Sequence, residues 1–231
     1  HRAVRRAKLR FQAIIFDFDG VIVDSEATAN AAMAEVLTGL GCEISGEEAV
    51  ARYAGLRWRD CHRRIEQDFG RAFDGEELGS LVDAAIEARA AEMLAIDGLE
   101  AFLVQQTHRR LAIASSSEKA WLDTMLGRLG LAGFFGEHVY SAARIPRGKP
   151  NPDVYLHVAG QLRLPPSACL VIEDHPVGAA AGAAAGMTVI GLMAASHTRD
   201  GHEEKLRAAG AHRCARSYAE AAEILARLEA S

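Results

Sequence analysis

Two carboxylates two residues apart, in Asp17-Phe18-Asp19-Gly20, follow directly on the apolar run QAIIF (12–16). A short apolar run that ends in acid and glycine reads as a buried strand entering a loop. Loops at the C-terminal ends of strands are where open α/β sheets bind ligands. Gly20 permits a tight turn and close backbone approach. Glu173-Asp174 repeats the pattern after LVI (170–172), ahead of a turn carrying Pro176 and Gly178. In a parallel sheet all strand C-termini lie on one edge, so the two acid pairs are expected to meet there. Converging carboxylates repel one another unless a cation sits among them. An all-oxygen donor set favours a hard ion such as Mg2+, which takes few protein carboxylates and keeps water and substrate phosphate as its other ligands. Bland accounts stand beside this one: acids in a loop are commonly just solvated, and acids at a helix start complement its dipole.

Ser115-Ser116-Ser117 follows the apolar LAIA (111–114). Hydroxyls and free backbone N–H groups at a helix start make an anion site, although the same residues also serve as an ordinary helix cap. Lys149 lies in the rigid turn Gly148-Lys149-Pro150-Asn151-Pro152. A lysine there is normally solvated; among carboxylates at the same sheet edge it would bridge a nucleophile and a phosphate oxygen.

The elements that must position these groups alternate. Strand-like runs recur at 12–16, RRLAIA (109–114), HVY (138–140), CLVI (169–172), TVIG (188–191) and HRCA (212–215). Helix-like stretches lie between most of them: Lys119–Leu129 before Gly130, Pro152–Leu162 with proline at a first helical position, and Tyr218–Leu228. Strands alternating with helices predict βαβ units and an α/β fold with a parallel sheet covered on both faces. The alanine- and glycine-rich GAAAGAAAGM (178–187) is too short and too weakly apolar to span a bilayer, and reads as a helix packed closely on the sheet.

One long stretch, from Asp24 to about Met93, carries no strand pattern. Met33, Val36, Leu37 and Leu40 form the stripe of an amphipathic helix. Ser45-x-x-Glu48 is a capping box opening a second helix that stops near Gly55. Trp58–Phe69 and Glu76–Met93 read as two more. The pattern predicts a small all-helical domain inserted over the sheet, residues 24–97, with joints near Val23–Ser25 and Ala95–Gly98. The core then comprises 1–23 and 98–231.

Composition agrees with a soluble globular chain. The length of 231 residues accommodates a core domain with an inserted one. The net charge of −5 gives no reason to expect nucleic acid or an anionic membrane as partner, and leaves protein partners unspecified. Cys42, Cys61, Cys169 and Cys214 form no C-x-x-C pair, so reduced, buried thiols in a cytoplasmic protein are expected rather than a metal cluster or disulfide framework. The basic start HRAVRRAKLR leads into an apolar run broken at once by Asp17 and Asp19, so no secretory signal or spanning helix is expected, and the first ten residues are expected to fray.

FDFDGVIVDS, AIASSS, GKPNPDVY and VIEDHPVGAAAGAAAGM, in this order, resemble the four motifs of the haloacid dehalogenase superfamily, over about residues 11 to 191. The long gap between Asp17 and Ser115 is similar to members with a helical cap between the first two motifs. The resemblance implies a Rossmann-like three-layer core, a mobile α-helical cap and a phospho-aspartyl mechanism. Asp17 would attack phosphorus, and Asp19 would protonate the leaving oxygen and later activate water. Ser115, with Ser116 beside it, and Lys149 would hold the phosphoryl oxygens. Mg2+ would be bound by Asp17, the Asp19 carbonyl and Asp174, with Glu173 a direct ligand or one step behind. Where the family often has serine after the second acid pair, this chain has His175.

Relatives that dehalogenate carbon lack the second aspartate of the first motif, which Asp19 supplies here. Relatives that cleave phosphonates use a cap lysine, and residues 24–95 contain none. β-Phosphoglucomutase shares cap and motifs, but the cap histidine that steers its proton transfer corresponds to Ala29. The expected function is therefore Mg2+-dependent removal of phosphate from a small soluble metabolite, a sugar or sugar-acid phosphate. A mutase acting on sugar phosphate and a non-catalytic binding protein of this fold are the alternatives. The segment YAGLRWRD (53–60) resembles the family's substrate-contacting cap loop, with Arg57 to hold a hydroxyl or carboxylate and Trp58 to cover a sugar face. A solvated basic surface is the competing account, the stronger one for Arg63 and Arg64. Residues 191–211 are similar to bacterial sugar-phosphate phosphatases, including those acting on 6-phosphogluconate.

Overall fold

The computed structural model describes residues 9–53, 58–196, 198 and 200–230. The chain divides into two units, one formed by the segments up to Ile22 and from Ala95 onward, the other by Val23–Leu94. Asp24 N donates to Leu94 O at 3.0 Å, which joins the two ends of the second unit, and Ile96 N donates to Ile22 O at 3.0 Å across the break in the first.

In chain order the elements begin with β1 (Ala13–Phe16), followed by the helices of the inserted unit, α1 (Glu26–Gly39), α2 (Gly46–Tyr53), α3 (Trp58–Phe69) and α4 (Gly75–Ala88). The first unit resumes with α5 (Leu99–Gln106), β2 (Arg110–Ser115), α6 (Lys119–Arg128), α7 (Ala132–Phe135) and β3 (Val139–Ser141). It continues through α8 (Asp153–Gln161), β4 (Cys169–Glu173), α9 (Pro176–Ala184), β5 (Thr188–Leu192), α10 (His202–Ala208), β6 (Arg213–Ala215) and α11 (Tyr218–Ala230).

The six strands form one parallel sheet in the order β3-β2-β1-β4-β5-β6. Both faces are covered, which is why the strands read as near-continuous apolar runs rather than alternating ones. One face carries Ala13, Ile15, Ala112, Ala114, Val171 and Val189 against Val154, Tyr155 and Val158 of α8, Ala179 of α9 and Leu206 of α10. On the other face Phe16 meets Phe102 of α5 and Phe135 of α7 edge-on, with ring centroids at 6.2 and 5.8 Å, and Phe102 meets Tyr218 of α11 at 5.1 Å. The small-residue segment is α9, lying close on the sheet: a Cβ on Gly182 would stand 2.9 Å from Val189 Cγ2. No helix among the described residues is long and apolar enough to cross a membrane.

The inserted unit has a core of its own, formed by Met33, Leu37, Cys61, Ile65, Leu78 and Val82, with Val36 and Leu40 packed at its margin. The capping box is formed, with Glu48 N to Ser45 Oγ at 3.2 Å and Ser45 N to Glu48 Oε2 at 3.0 Å. The end of α2 near Gly55 lies outside the described residues.

Two expectations need correction. The helix expected over Glu76–Met93 ends at Ala88: Arg89 takes φ −97°, ψ 6°, and a single 3-10 turn, Ala90–Glu92, follows. Its start is set by a cap the sequence reading passed over, Asp74, whose Oδ1 accepts from Glu76 N and Glu77 N at 2.9 Å. Of the first ten residues, expected to fray, Arg10 is tied down, its guanidinium donating to Leu228 O at 2.7 Å. Residues 1–8 lie outside the described set. All four cysteines are free thiols and buried.

Candidate active site

The strand order reverses between β1 and β4: β2 and β3 extend one way from β1, while β4, β5 and β6 extend the other. A crevice outside the strand C-termini at such a switch point is where open α/β sheets take ligands. The register aligns Phe16 with Ile113 on β2 and with Ile172 on β4. The residues that follow, Asp17, Ala114-Ser115 and Glu173-Asp174, therefore emerge side by side. Asp17 N donates to Ile172 O at 3.0 Å, so the ladder carries on to the first acidic residue.

Lys149 joins the groups. Its ammonium donates to Asp17 Oδ1 at 2.8 Å, Glu173 Oε1 at 2.6 Å and Ala114 O at 3.1 Å, one acceptor for each of its three protons. The side chain is only 7% exposed. Burial pushes its pKa down, but the charges of Asp17 and Glu173 outweigh that and raise it well above the ordinary value, so the cation is permanent. Glu173 is held in turn: Tyr155 OH donates to Oε1 at 2.7 Å and His175 N to Oε2 at 3.4 Å. Burial, and then the Glu173 charge, raise the Tyr155 pKa, which keeps this phenol a donor. Gly178 makes room for the carboxylate, since a Cβ there would fall inside it.

Asp17, Glu173 and Asp174 can each place a carboxylate oxygen within 4.8 Å of the others, a group able to hold a metal ion. Lys149 pairs with two of these carboxylates, Asp17 and Glu173, and the surplus of acid shows in the titration of Asp17. Burial and the Glu173 charge push its pKa up to about 7, against the downward pull of Lys149. A cluster with surplus negative charge and oxygen-only donors fits a hard divalent cation.

Ser115 is 2% exposed at the end of β2, and its Oγ accepts from Ser117 N at 3.0 Å. Ser117 Oγ donates to Asp19 Oδ2 at 2.8 Å. Ser116 between them is exposed, so Ser117 rather than Ser116 turns its side chain to the acids. His175, where the resemblance leads one to expect serine, keeps the capping role at α9, its Nδ1 accepting from Val177 N at 3.3 Å. His202 Nε2 donates to Asp174 O at 2.6 Å and fastens the backbone of that acid.

Asp17, Asp19, Ser115, Lys149, Glu173 and Asp174 are thus gathered at one sheet edge. Trp58 belongs to the inserted unit, where its indole N–H donates to Gly75 O at 3.1 Å and its ring lies 3.3 Å from a Cβ built on Gly79. Arg57 lies outside the described residues. Sequence reasoning missed Tyr155, Ser117 and His202. The first lay in the motif GKPNPDVY and in the helix expected over Pro152–Leu162 without a role of its own; the second stood in the serine run, where only a strand-end alternation would have separated it from Ser116. For His202 no local signal exists.

Comparison with known proteins bears on the same residues. A model of the haloacid dehalogenase-like hydrolase family matches residues 14–192. A fructose-1-phosphate phosphatase of Escherichia coli (strain K12) is 30% identical over 187 residues, spanning 78% of this chain and 96% of that protein. A 6-phosphogluconate phosphatase of the same organism is 27% identical over 192 residues, spanning 82% of this chain and 86% of that protein. A solved structure of a family hydrolase from Deinococcus radiodurans R1, with bound phosphate and sodium, superposes with a TM-score of 0.80 at 32% identity, covering 95% of this chain and 97% of that one. The chain belongs to the haloacid dehalogenase-like hydrolases.

Proposed function

We propose that this chain, a phosphatase of that family, hydrolyses a small sugar or sugar-acid phosphate through an aspartyl-phosphate on Asp17, with Mg2+ as its cation. One observation carries the reading. A buried, permanently charged lysine is fastened to Asp17 at a sheet edge where two further carboxylates converge. The names of the relatives, fructose-1-phosphate phosphatase and 6-phosphogluconate phosphatase, support the substrate class.

In the first half-reaction an Asp17 oxygen forms a bond to phosphorus while the bond from phosphorus to the sugar oxygen breaks. Asp19, protonated at the start, gives its proton to that oxygen, so a neutral alcohol leaves and Asp19 becomes a carboxylate. In the second, water attacks phosphorus and passes a proton to Asp19, and the acyl-phosphate bond breaks to return the Asp17 carboxylate and free phosphate. Lys149 and the Ser115 hydroxyl stabilise the phosphoryl oxygens as charge spreads over them. Backbone N–H groups around Ser116 add donors of the same kind. Mg2+, held by Asp17, Asp174 and the Asp19 carbonyl, would supply Lewis-acid neutralisation of the phosphoryl charge. Glu173 belongs behind the ion, because its oxygens already serve Lys149, Tyr155 and His175 N.

From the inserted unit, Arg57 and Trp58 are assigned contacts to the leaving group. Trp58 is 39% exposed with its N–H already bonded, so its contribution is a ring face rather than a hydrogen bond. At Ala29 there is no proton to steer, so water is the preferred acceptor over a second sugar phosphate. The test is free-phosphate release from p-nitrophenyl phosphate and a panel including fructose-1-phosphate and 6-phosphogluconate, with Mg2+ or with EDTA. Turnover with Mg2+ and none with EDTA is expected. Full turnover in metal-free buffer overturns the reading.

A further inference from the structure

We infer that Ser117 is the positioning residue for Asp19, setting the direction from which the acid–base carboxyl meets the leaving oxygen. The inference rests on the phosphatase reading and on the role of Asp19 within it.

The contact is specific. Ser117 Oγ donates to Asp19 Oδ2 at 2.8 Å, tying the loop after β2 to the loop after β1 across 98 residues of sequence. The donor is itself anchored, because Ser117 N donates to Oγ of the buried Ser115 at 3.0 Å. A strand end therefore fixes Ser115, Ser115 fixes the backbone of Ser117, and the Ser117 hydroxyl fixes one oxygen of Asp19. The ordinary account of a serine before a helix is capping, and the structure gives that place to another residue. Glu118 is the N-cap of α6, and no side-chain capping bond is made there. A serine hydroxyl has one proton to donate, and here Asp19 Oδ2 receives it.

A carboxyl group is planar, so fixing Oδ2 limits rotation about the Cβ–Cγ bond and with it the path of Oδ1. In the first half-reaction the proton travels from Asp19 to the sugar oxygen as the oxygen–phosphorus bond breaks, and the value of that transfer depends on the leaving group. A sugar alkoxide is a strong base that departs only with its proton. p-Nitrophenolate is a weak base that departs without one. Misaligning Asp19 should therefore penalise the sugar phosphate and spare the nitrophenyl ester. This selectivity is not expected of a residue that merely stabilises the fold or binds phosphate.

The experiment compares kcat/KM for the best sugar phosphate and for p-nitrophenyl phosphate, in wild type, Ser117→Ala, Ser117→Cys and Ser117→Thr. That ratio covers only the steps up to release of the alcohol, so the later attack of water does not blur it. General acid catalysis is worth about 10²–10⁴-fold, and Ser117→Ala should lose part of this, about ten- to a hundredfold on the sugar phosphate and less than about threefold on the nitrophenyl ester. Ser117→Cys, nearly isosteric but a weak donor, should repeat the selective loss, and Ser117→Thr, which keeps the hydroxyl, should restore activity. In an Asp19→Ala background, Ser117→Ala should add nothing. Equal loss on both substrates, no loss at all, or an undiminished effect without Asp19 would overturn the inference while leaving the phosphatase reading intact. A wild type inert toward both substrates would overturn that reading and this inference with it.

Discussion

The sheet edge and the inserted helical unit use charge in opposite ways. At the edge, Lys149 is 7% exposed with three acceptors, and Glu173 is 1% exposed with donors on both oxygens. In the helical unit some charged side chains pair along one helix at the surface: Arg64 with Asp68 at 3.0 Å and Arg63 with Asp60 at 3.4 Å, both arginines more than half exposed. Buried ions are costly to leave unpaired, so each must have a defined partner and a defined place. Surface pairs gain little and tolerate loss. The lesson is that groups at the edge are held in fixed positions by buried partners, whereas the surface pairs of the inserted unit hold little in place.

The comparison breaks most visibly if Asp17→Asn retains turnover. An amide is a poor nucleophile, and loss of more than about a thousandfold in kcat is expected in a phosphate-release assay. Lys149→Met should follow, with a drop of about 10²–10³ in kcat, because it removes a preorganised donor to the phosphoryl oxygens. If Lys149→Met cost no more than a surface substitution, the edge would not be a preorganised site.

Gly178→Ala tests the same edge through stability. Its methyl would occupy the Glu173 carboxylate, so the buried partners of Lys149 would have to shift. Overpacking of this kind costs about 1–3 kcal/mol, read as a lower denaturant midpoint with activity falling alongside.

Asp17 gives a pH signature. Its folded pKa of about 7, raised above 3.8, means that the folded protein favours the neutral acid. Stability is therefore unaffected by this group at low pH and is lost as pH rises from about 3.8 to about 7, by at most on the order of 4 kcal/mol before solvent relaxation reduces it. In EDTA, Asp17→Asn should melt above wild type at about pH 8 and level with it near pH 4. Mg2+ should close the gap by stabilising wild type alone. An Asn variant that is no more stable at the higher pH would show that Asp17 carries no surplus charge.

The smallest effect is expected in the helical unit. Arg63→Ala and Arg64→Ala should each change folding stability by less than about 1 kcal/mol and leave p-nitrophenyl phosphate hydrolysis unaltered. A loss of activity comparable to that of Lys149→Met would erase the contrast between the two regions.

By itself the sequence determined the strands, the helical insertion and the place of the acid pairs at two strand ends, because these follow from neighbours along the chain. A strand buried on both faces must be apolar throughout, so AIIF, CLVIE and TVIGL announce themselves, and a capping box such as Ser45–Glu48 is a local bond. The end of α4 at Ala88 was not legible, since alanine, arginine and glutamate beyond it all favour helix and only the backbone turn at Arg89 stops it. Tertiary structure alone decided which serine faces Asp19, that Tyr155 from α8 holds Glu173, and that His202 fastens Asp174. Each of these joins residues from separate elements through strand register and helix placement. Which side chain meets which across such distances is a property of the packed sheet, and no local pattern encodes it.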